Sequence, residues 1–194
     1  VTEINANTIV LMNLFRDQLD RYGELEKIRE NWKLMIDGLP ASTKLLVNAD
    51  DPSLVFASLD HPNLVFFGLG DTRYALESIP HAADSSQCPR CNNQLQYSQV
   101  TISHMGDWSC TQCGLSRPNL DFEATEIELQ GVESIKFKIL SRTGGEVIEA
   151  KLPGLHNVYN ALAAFTAAKQ LDIETAVART AISSVNAAFG RTES

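Results

Sequence analysis

Short apolar runs alternate with stretches of helical periodicity along the first 70 residues of the chain. The runs lie at 8–13, 44–47 and 63–67. Continuous apolar runs of this length are typical of strands that are buried on both faces. The spacing over 24–38 predicts one helix, and Asp51-Pro52 predicts the capped start of a second that ends near Leu59. Alternation of this kind predicts a parallel α/β sheet with right-handed crossovers.

The polar and apolar positions follow a period of two in the second half of the chain, which predicts antiparallel strands. These strands are expected at 126–129, 134–140 and 146–152. Thr143-Gly144-Gly145 predicts the hairpin turn between the last two. Helical spacing then returns over 157–170, and Asp172 is the expected N-cap of a final helix.

Residues 84–118 fit neither pattern and are predicted to be an insertion. The expected organisation is therefore an α/β part at 1–83, the insertion at 84–118, and antiparallel strands followed by two helices at 119–194.

Composition excludes several classes of protein. With 44% hydrophobic residues among 194, the chain has too much apolar content for disorder to dominate. No apolar run approaches the roughly 20 residues that a membrane-spanning helix needs. The net charge of −8 has the wrong sign for general binding to a phosphate backbone.

All four cysteines of the chain lie inside the predicted insertion, as two C-x2-C pairs separated by 18 residues. They are Cys88, Cys91, Cys110 and Cys113. This spacing predicts a tetrahedral zinc site of four thiolates, a zinc ribbon, with Gly114 supplying a positive φ after the second pair. Two disulfides or a redox pair are the alternatives. Four thiolates leave no open coordination position, so the expected role of the zinc is structural.

Two polar clusters follow the first two predicted strands, where parallel sheets bind ligands. Asn48, Asp50 and Asp51 form the second cluster, and their side chains are suited to hydrated Mg²⁺ or to a nucleotide. For Asp51 a helix cap is the favoured interpretation. The first cluster, at 13–23, carries Arg16, Asp17, Asp20 and Arg21. Four charges in six positions favour a functional site over a solvated patch of ion pairs.

Two further groups of residues carry possible nucleotide chemistry. Asn157 and Asn160 are three apart at a predicted helix start, so both amides face one way and could read the donor and acceptor edge of an adenine. The alternative is that Asn157 caps the helix and Asn160 is solvated. Arg191 follows a glycine near the end of the chain, where a guanidinium could bind phosphate.

Four segments, taken in order, resemble motifs of the central ATPase domain of the Mur ligase family. They lie at 13–20, 48–51, 156–164 and 190–193. The family's motifs are Asn-Leu-x-x-Asp-His-Leu-Asp, Asn-x-Asp-Asp, His-Asn-x-x-Asn-Ala-x-Ala-Ala and Gly-Arg-x-Glu. The resemblance covers nearly the whole chain. It implies an α/β parallel-sheet domain of this type, here with an inserted four-cysteine ribbon and an antiparallel β subregion.

The resemblance also implies roles for individual residues. Asn157 and Asn160 would hold the adenine of ATP, and Arg191 would contact the ribose–phosphate side. Asp50 and Asp51 would border the nucleotide cleft.

Gln18 and the ribbon are similar to features of the amidating members of the family. Where the broader family has a histidine that helps to bind a second Mg²⁺, Gln18 offers a neutral, weaker ligand. The resemblance implies a cytoplasmic enzyme that uses ATP to phosphorylate the D-glutamate α-carboxylate of lipid II, which ammonia then converts to D-isoglutamine. A separate GatD-like glutaminase subunit would supply the ammonia in a heterodimer. Consistently, cysteines committed to zinc leave none as a glutaminase nucleophile.

The sequence lacks the Gly-x-x-x-x-Gly-Lys-[Ser/Thr] loop that cradles phosphates in this family. We therefore expect the chain to be the later part of a central domain, cut internally at Val1, without its phosphate loop and C-terminal domain. By itself it is expected not to turn over ATP.

Two other functions remain open from the sequence. One is a zinc-ribbon module that binds nucleic acid, with Trp108 and Tyr97 stacking on bases. Against it, residues 84–118 carry two arginines and two aspartates, with no basic stripe. The other is a Mur-type ligase with a different acceptor, such as a folylpolyglutamate or cyanophycin synthetase.

Overall fold

The computed structural model describes residues 5–15, 24–77 and 86–185. Along these segments the chain forms eight strands and four helices. In order they are β1 (Thr8–Leu11), α1 (Glu24–Asp37), β2 (Lys44–Asn48), α2 (Pro52–Ser58), β3 (Leu64–Leu69), β4 (Gln96–Ile102), β5 (Met105–Ser109), β6 (Phe122–Gln130), β7 (Ser134–Ser141), β8 (Gly144–Ala150), α3 (Leu155–Gln170) and α4 (Thr175–Ser184).

Six of the strands form one mixed sheet in the order β1-β2-β3-β6-β7-β8. The first four are parallel to one another, and β6, β7 and β8 pair antiparallel. The predicted fold class, a mainly parallel α/β sheet with an antiparallel part, is confirmed.

Strand β2 is buried on both faces, as its continuous apolar run predicted, whereas the edge strand β1 is only partly buried and exposes Val10. Successive residues of β2 point to opposite sides of the sheet. Leu45 and Val47 pack with α1 and α2, whereas Leu46 packs in the larger core that includes α3 and α4. All three side chains are fully buried. The sheet therefore lies between two layers of helices. Loops follow the carboxyl ends of its parallel strands.

The remaining strands, β4 and β5, form a separate two-stranded antiparallel sheet. It is not a detached appendage. Trp108 of β5 is buried in a cluster with Ala49 and Val55, and its indole N–H donates to the Ala49 carbonyl at 3.0 Å. The four-cysteine ribbon consequently packs on the carboxyl end of β2 and on α2. The boundaries expected at 83/84 and 118/119 stay predictions.

Three predicted boundaries differ from the structure. Strand β6 begins at Phe122 rather than 126, because its first residues pair with both β3 and β7. These hydrogen bonds join residues far apart in the chain, so the local sequence pattern does not predict them. The hairpin turn lies at Arg142 and Thr143, and Gly144 already belongs to β8. Helix α3 begins at Leu155, two residues before the predicted start.

Asp172 does not cap the final helix. It adopts a left-handed φ of 57° directly after the end of α3, and the amide of Ile173 donates to the carbonyl of Ala168 at 3.0 Å. These features define a Schellman motif, in which a short polar residue tolerates the left-handed position. Asp172 therefore closes α3, and the N-cap position of α4 falls to Glu174.

Candidate functional site

The four cysteines converge on a single centre. Their sulfur atoms all lie within 4.8 Å of one another, with Cys88 and Cys113 at 3.6 Å and Cys91 and Cys110 at 3.5 Å. Four thiolates around a zinc ion at about 2.3 Å lie about 3.8 Å from one another, whereas a disulfide requires about 2.05 Å. None of the four cysteines forms a disulfide. The geometry fits a tetrahedral metal ion and does not show the disulfide alternative.

The two C-x2-C pairs sit on matching turns. Asn92 and Gly114 occupy equivalent positions, each with a positive φ and each donating its amide to the carbonyl of the first cysteine of its pair at 2.9 Å. The amides of Cys88 and Cys110 donate to carbonyls five residues later, both at 2.7 Å. The positive φ predicted at Gly114 is confirmed, and Asn92 has the same role in the first turn.

The surroundings of the thiols affect their protonation in opposite directions. Burial raises the pKa of Cys88, whereas hydrogen bonds from Asn93 lower the pKa of Cys91. A zinc ion binds thiolates, so loading the site must displace the proton from the buried thiol.

Asp50 is fully buried and is surrounded by internal partners. It forms an ion pair with Arg117 at 2.5 Å, and it accepts hydrogen bonds from the Tyr159 hydroxyl at 2.6 Å and the Leu69 amide at 2.9 Å. Burial raises the pKa of Asp50, and the charge of Arg117 is the largest opposing influence. The side chain that the sequence placed beside a nucleotide thus connects the sheet, the ribbon and α3. A direct contact with nucleotide stays a prediction.

Asp51 is the N-cap of α2, which confirms the favoured interpretation. One carboxylate oxygen accepts from the amides of Ser53 and Leu54, and the other accepts from the amide of Leu14 at 2.7 Å. The second oxygen also lies 3.3 Å from Nε2 of His104 in the ribbon. The ribbon therefore packs on the Asn48–Asp51 segment.

The asparagine pair of α3 has the predicted common orientation. The Asn160 amide donates to Oδ1 of Asn157 at 3.1 Å, and Asn157 donates to the carbonyl of Pro153 at 2.7 Å. The Asn160 side chain is exposed and lines a small cavity of about 80 Å³. Asn13 and Phe15, from the loop after β1, line the same cavity.

The cavity brings together Asn13, at the start of the predicted polar cluster at 13–23, and Asn160, the second asparagine of the pair in α3. The charged part of the first cluster, Gln18 and Arg191 lie outside the described residues, so their predicted roles are untested. Among the described residues, the lining consists of Met12, Asn13, Phe15, Asn48, Ile102, Met105, His156, Tyr159 and Asn160.

Sequence reasoning missed Tyr159, Arg117 and His104 as parts of this region. Tyr159 lies between the two asparagines, yet its partner Asp50 is 109 residues away in the chain. Arg117 was counted only as one charge of a neutral ribbon. The one available signal was position, since Arg117 follows the second cysteine pair closely enough to be held by the same fold.

Trp108 has no free face for a nucleic-acid base. It is 1% exposed and hydrogen-bonded to the sheet. The structure thereby removes the stacking role on which the nucleic-acid interpretation depended in part.

Asp71, just beyond β3, gives a prediction about acid stability. Hydrogen bonds from Arg73 are the main cause that lowers the pKa of Asp71 to about 2. Because this value lies below that of an unfolded aspartate, the carboxylate stabilises the fold above about pH 4, and the contribution is lost as the pH falls toward 2. Asp71→Asn is expected to cost roughly 1 kcal/mol at pH 7, since Arg73 is half exposed.

Urea unfolding at pH 7, 4 and 3 measures this cost, which should shrink at each step. Glu133→Gln, on the exposed β6–β7 turn, serves as the control. Its free energy of unfolding should differ from that of the wild type by the same small amount at all three pH values. A cost for Asp71→Asn that is constant with pH would contradict the prediction.

Comparisons with solved structures define the class of protein. The chain superimposes on a pseudomurein peptide ligase type C from Methanothermus fervidus with a TM-score of 0.79 and 27% identity, covering 97% of this chain and 36% of that one. MurF from Acinetobacter baumannii has the same fold, with a TM-score of 0.61, 18% identity, and coverage of 96% of this chain and 31% of MurF. The chain is therefore a Mur ligase-like α/β domain. No family model matches it.

Sequence comparison refines this class. The chain is 31% identical, over 98% of its length, to subunit MurT of the glutamine-hydrolyzing lipid II isoglutaminyl synthase from Streptococcus pneumoniae. It is also 31% identical, over 88% of its length, to MurT from Staphylococcus aureus. The predicted resemblance to the Mur ligase central domain is confirmed, and these relatives narrow it to MurT. The chain spans about 41% and 37% of these two relatives.

No helix among the described segments is both long and apolar enough to cross a bilayer.

Proposed function

We propose that the protein containing this chain is an ATP-dependent ligase that amidates the D-glutamate α-carboxylate of lipid II. In this reaction the carboxylate is phosphorylated by ATP with Mg²⁺, and ammonia then attacks the acyl phosphate carbon. The C–N bond forms, phosphate leaves, and D-isoglutamine results. The observation that carries the proposal is the 31% identity to MurT over nearly the entire chain.

The arrangement of the cavity supports a nucleotide site. An exposed amide at the start of α3 and the loop that follows β1 meet there, at the carboxyl edge of the parallel strands. Ligands of open α/β sheets bind at this edge. Asn160 retains an amide oxygen and one N–H for a base after its bond to Asn157.

The MurT relatives are named as one subunit of a glutamine-hydrolyzing synthase, which supports a separate source of ammonia. The four cysteines of the chain all belong to the metal cluster, which leaves no thiol for the hydrolysis of glutamine. We infer that a GatD-like glutaminase subunit supplies ammonia and that the zinc ion has a structural role.

Removal of the Asn160 amide tests the nucleotide site. In the complete natural protein, Asn160→Ala is expected to raise the Kd for ATP between tenfold and a hundredfold, because a bidentate amide–adenine contact contributes about 1–3 kcal/mol. Isothermal titration calorimetry measures the change. Asn119→Ala, an exposed asparagine that does not line this cavity, is the control and should bind ATP as the wild type does. Equal affinities for the two variants would remove Asn160 from the site.

The reaction itself is tested with lipid II, ATP and ammonium chloride. Mass spectrometry of the stem peptide should show an amide in place of the carboxylate, and glutamine should replace ammonium only when a glutaminase subunit is added. A second candidate is a peptide ligase with an amino-acid acceptor, which the similarity to the pseudomurein peptide ligase favours. An amino-acid adduct without amidation would select that alternative.

A further inference from the structure

The tip of the β4–β5 hairpin is buried, although hairpin turns ordinarily lie at the protein surface. The turn is formed by Ser103 and His104. His104 has no exposed surface and Met105 is 3% exposed, while Ile102 and Ser103 are partly buried. The ribbon thus inserts the end of its hairpin into the body of the protein.

Several contacts fix the tip on the carboxyl edge of the sheet. The amide of Gly106 donates to the Asp50 carbonyl at 3.0 Å, and the side-chain amide of Asn48 lies 3.5 Å from the Met105 sulfur. The hydroxyls of Thr101 and Tyr159 are 2.7 Å apart. The position of the tip is therefore tied to β2 and to α3.

The tip forms part of the cavity that contains Asn160. Ile102 and Met105 contribute apolar surface from the ribbon, and His156 and Asn160 contribute polar groups from α3. Among the described residues of the lining there is no aspartate, glutamate, lysine or arginine. The methionine, aromatic and amide groups of this lining suit contact with a flat heteroaromatic ring.

We propose that the ribbon hairpin supplies one wall of the base-binding pocket, with Ile102 as a residue that determines affinity for the base. The inference rests on the proposed function and adds to it a part for the ribbon, which the sequence left without a role beyond local stability. The ribbon packs against the base, while Asn160 of α3 reads its edge.

The experiment compares two ligands, ATP and inorganic tripolyphosphate, in the complete zinc-loaded protein. Ile102→Ala removes apolar surface from the pocket and is expected to raise the Kd for ATP roughly tenfold. The Kd for tripolyphosphate is expected to stay unchanged, since that ligand has no base. Ile102→Leu preserves the volume and should restore most of the ATP affinity.

Val100→Ala is the matched control. Val100 lies two residues earlier in β4 and is also apolar, although it is buried whereas Ile102 is partly buried, and it lines a different depression, beside Leu76. A general loosening of the hairpin would affect both variants, whereas loss of a base contact affects only Ile102→Ala.

The outcomes separate the two proposals. Selective loss of ATP affinity in Ile102→Ala supports the inference. Unchanged ATP affinity, equal losses for ATP and tripolyphosphate, or the same loss in Val100→Ala would overturn it while leaving the proposed function standing. Failure of the wild type to bind ATP would overturn the proposed function itself.

Discussion

Cys110→Ser is expected to abolish zinc binding, to unfold the ribbon and to disrupt its packing against the sheet. Cys110 is buried, and a cluster that keeps three sulfur ligands loses much of its affinity for zinc. Structural zinc contributes roughly 10–16 kcal/mol of apparent binding free energy in small zinc modules. The total stability of a domain is about 5–15 kcal/mol. Loss of the metal is therefore the largest single change expected in this protein.

Trp108 reports the change directly. It is 1% exposed, and its packing depends on the ribbon, so its fluorescence should shift to longer wavelength when the metal is lost. Because Trp32 also fluoresces, the measurement is made in a Trp32→Phe background. Metal analysis should give one zinc ion per wild-type chain and none in Cys110→Ser.

The control for the zinc prediction is Ser116→Ala, an exposed ribbon residue without a thiol, which should retain both zinc and fluorescence. A chelator added to the wild type should reproduce the effect of Cys110→Ser. Four thiols that react under denaturing conditions without a reductant would confirm that no disulfide is present. The prediction fails if Cys110→Ser keeps one equivalent of zinc with the fluorescence of the wild type.

Asp50→Ala is expected to destabilise the protein by about 3–5 kcal/mol. The substitution leaves the guanidinium of Arg117, which is 12% exposed, without its carboxylate in a buried setting. It also removes the acceptor of the Tyr159 hydroxyl and of the Leu69 amide. Urea unfolding followed by circular dichroism measures the loss.

Two controls accompany this variant. Asp60→Ala removes an exposed carboxylate that pairs with Lys33, and its midpoint should be indistinguishable from that of the wild type. The double variant Asp50→Leu with Arg117→Met removes both charges, so it should be less destabilised than Asp50→Ala. If Asp50→Ala unfolds at the same urea concentration as Asp60→Ala, the buried ion pair has no such structural importance.

Because of the Asp50–Arg117 ion pair, loss of zinc from the ribbon should also affect the sheet. Arg117 lies just after the second cysteine pair, and its Nη2 donates to the Leu69 carbonyl at 2.8 Å. Asp50 connects this arginine to Tyr159 in α3. Zinc loss should therefore weaken the contacts beside the asparagine pair as well as the ribbon.

Much of the fold could be predicted because its signals are local. Apolar runs identify strands buried on both faces, since every residue of such a strand contacts a core, as Leu45 and Leu46 do. The C-x2-C spacing identifies the metal cluster, because two thiolates three residues apart can reach one ion from a single turn. The Asp51-Pro52 signal for a helix start is equally local.

The sequence by itself thus determined the sheet class, the metal cluster, one helix cap and the resemblance to Mur ligases. Only the tertiary structure decided what Asp50 binds, where the hairpin tip lies, and that Asp172 ends one helix instead of starting the next. The physical reason is that a polar side chain has several possible partners of similar energy. The choice among them depends on which groups the folded chain brings within hydrogen-bond distance and removes from water, and residue spacing alone does not contain that information.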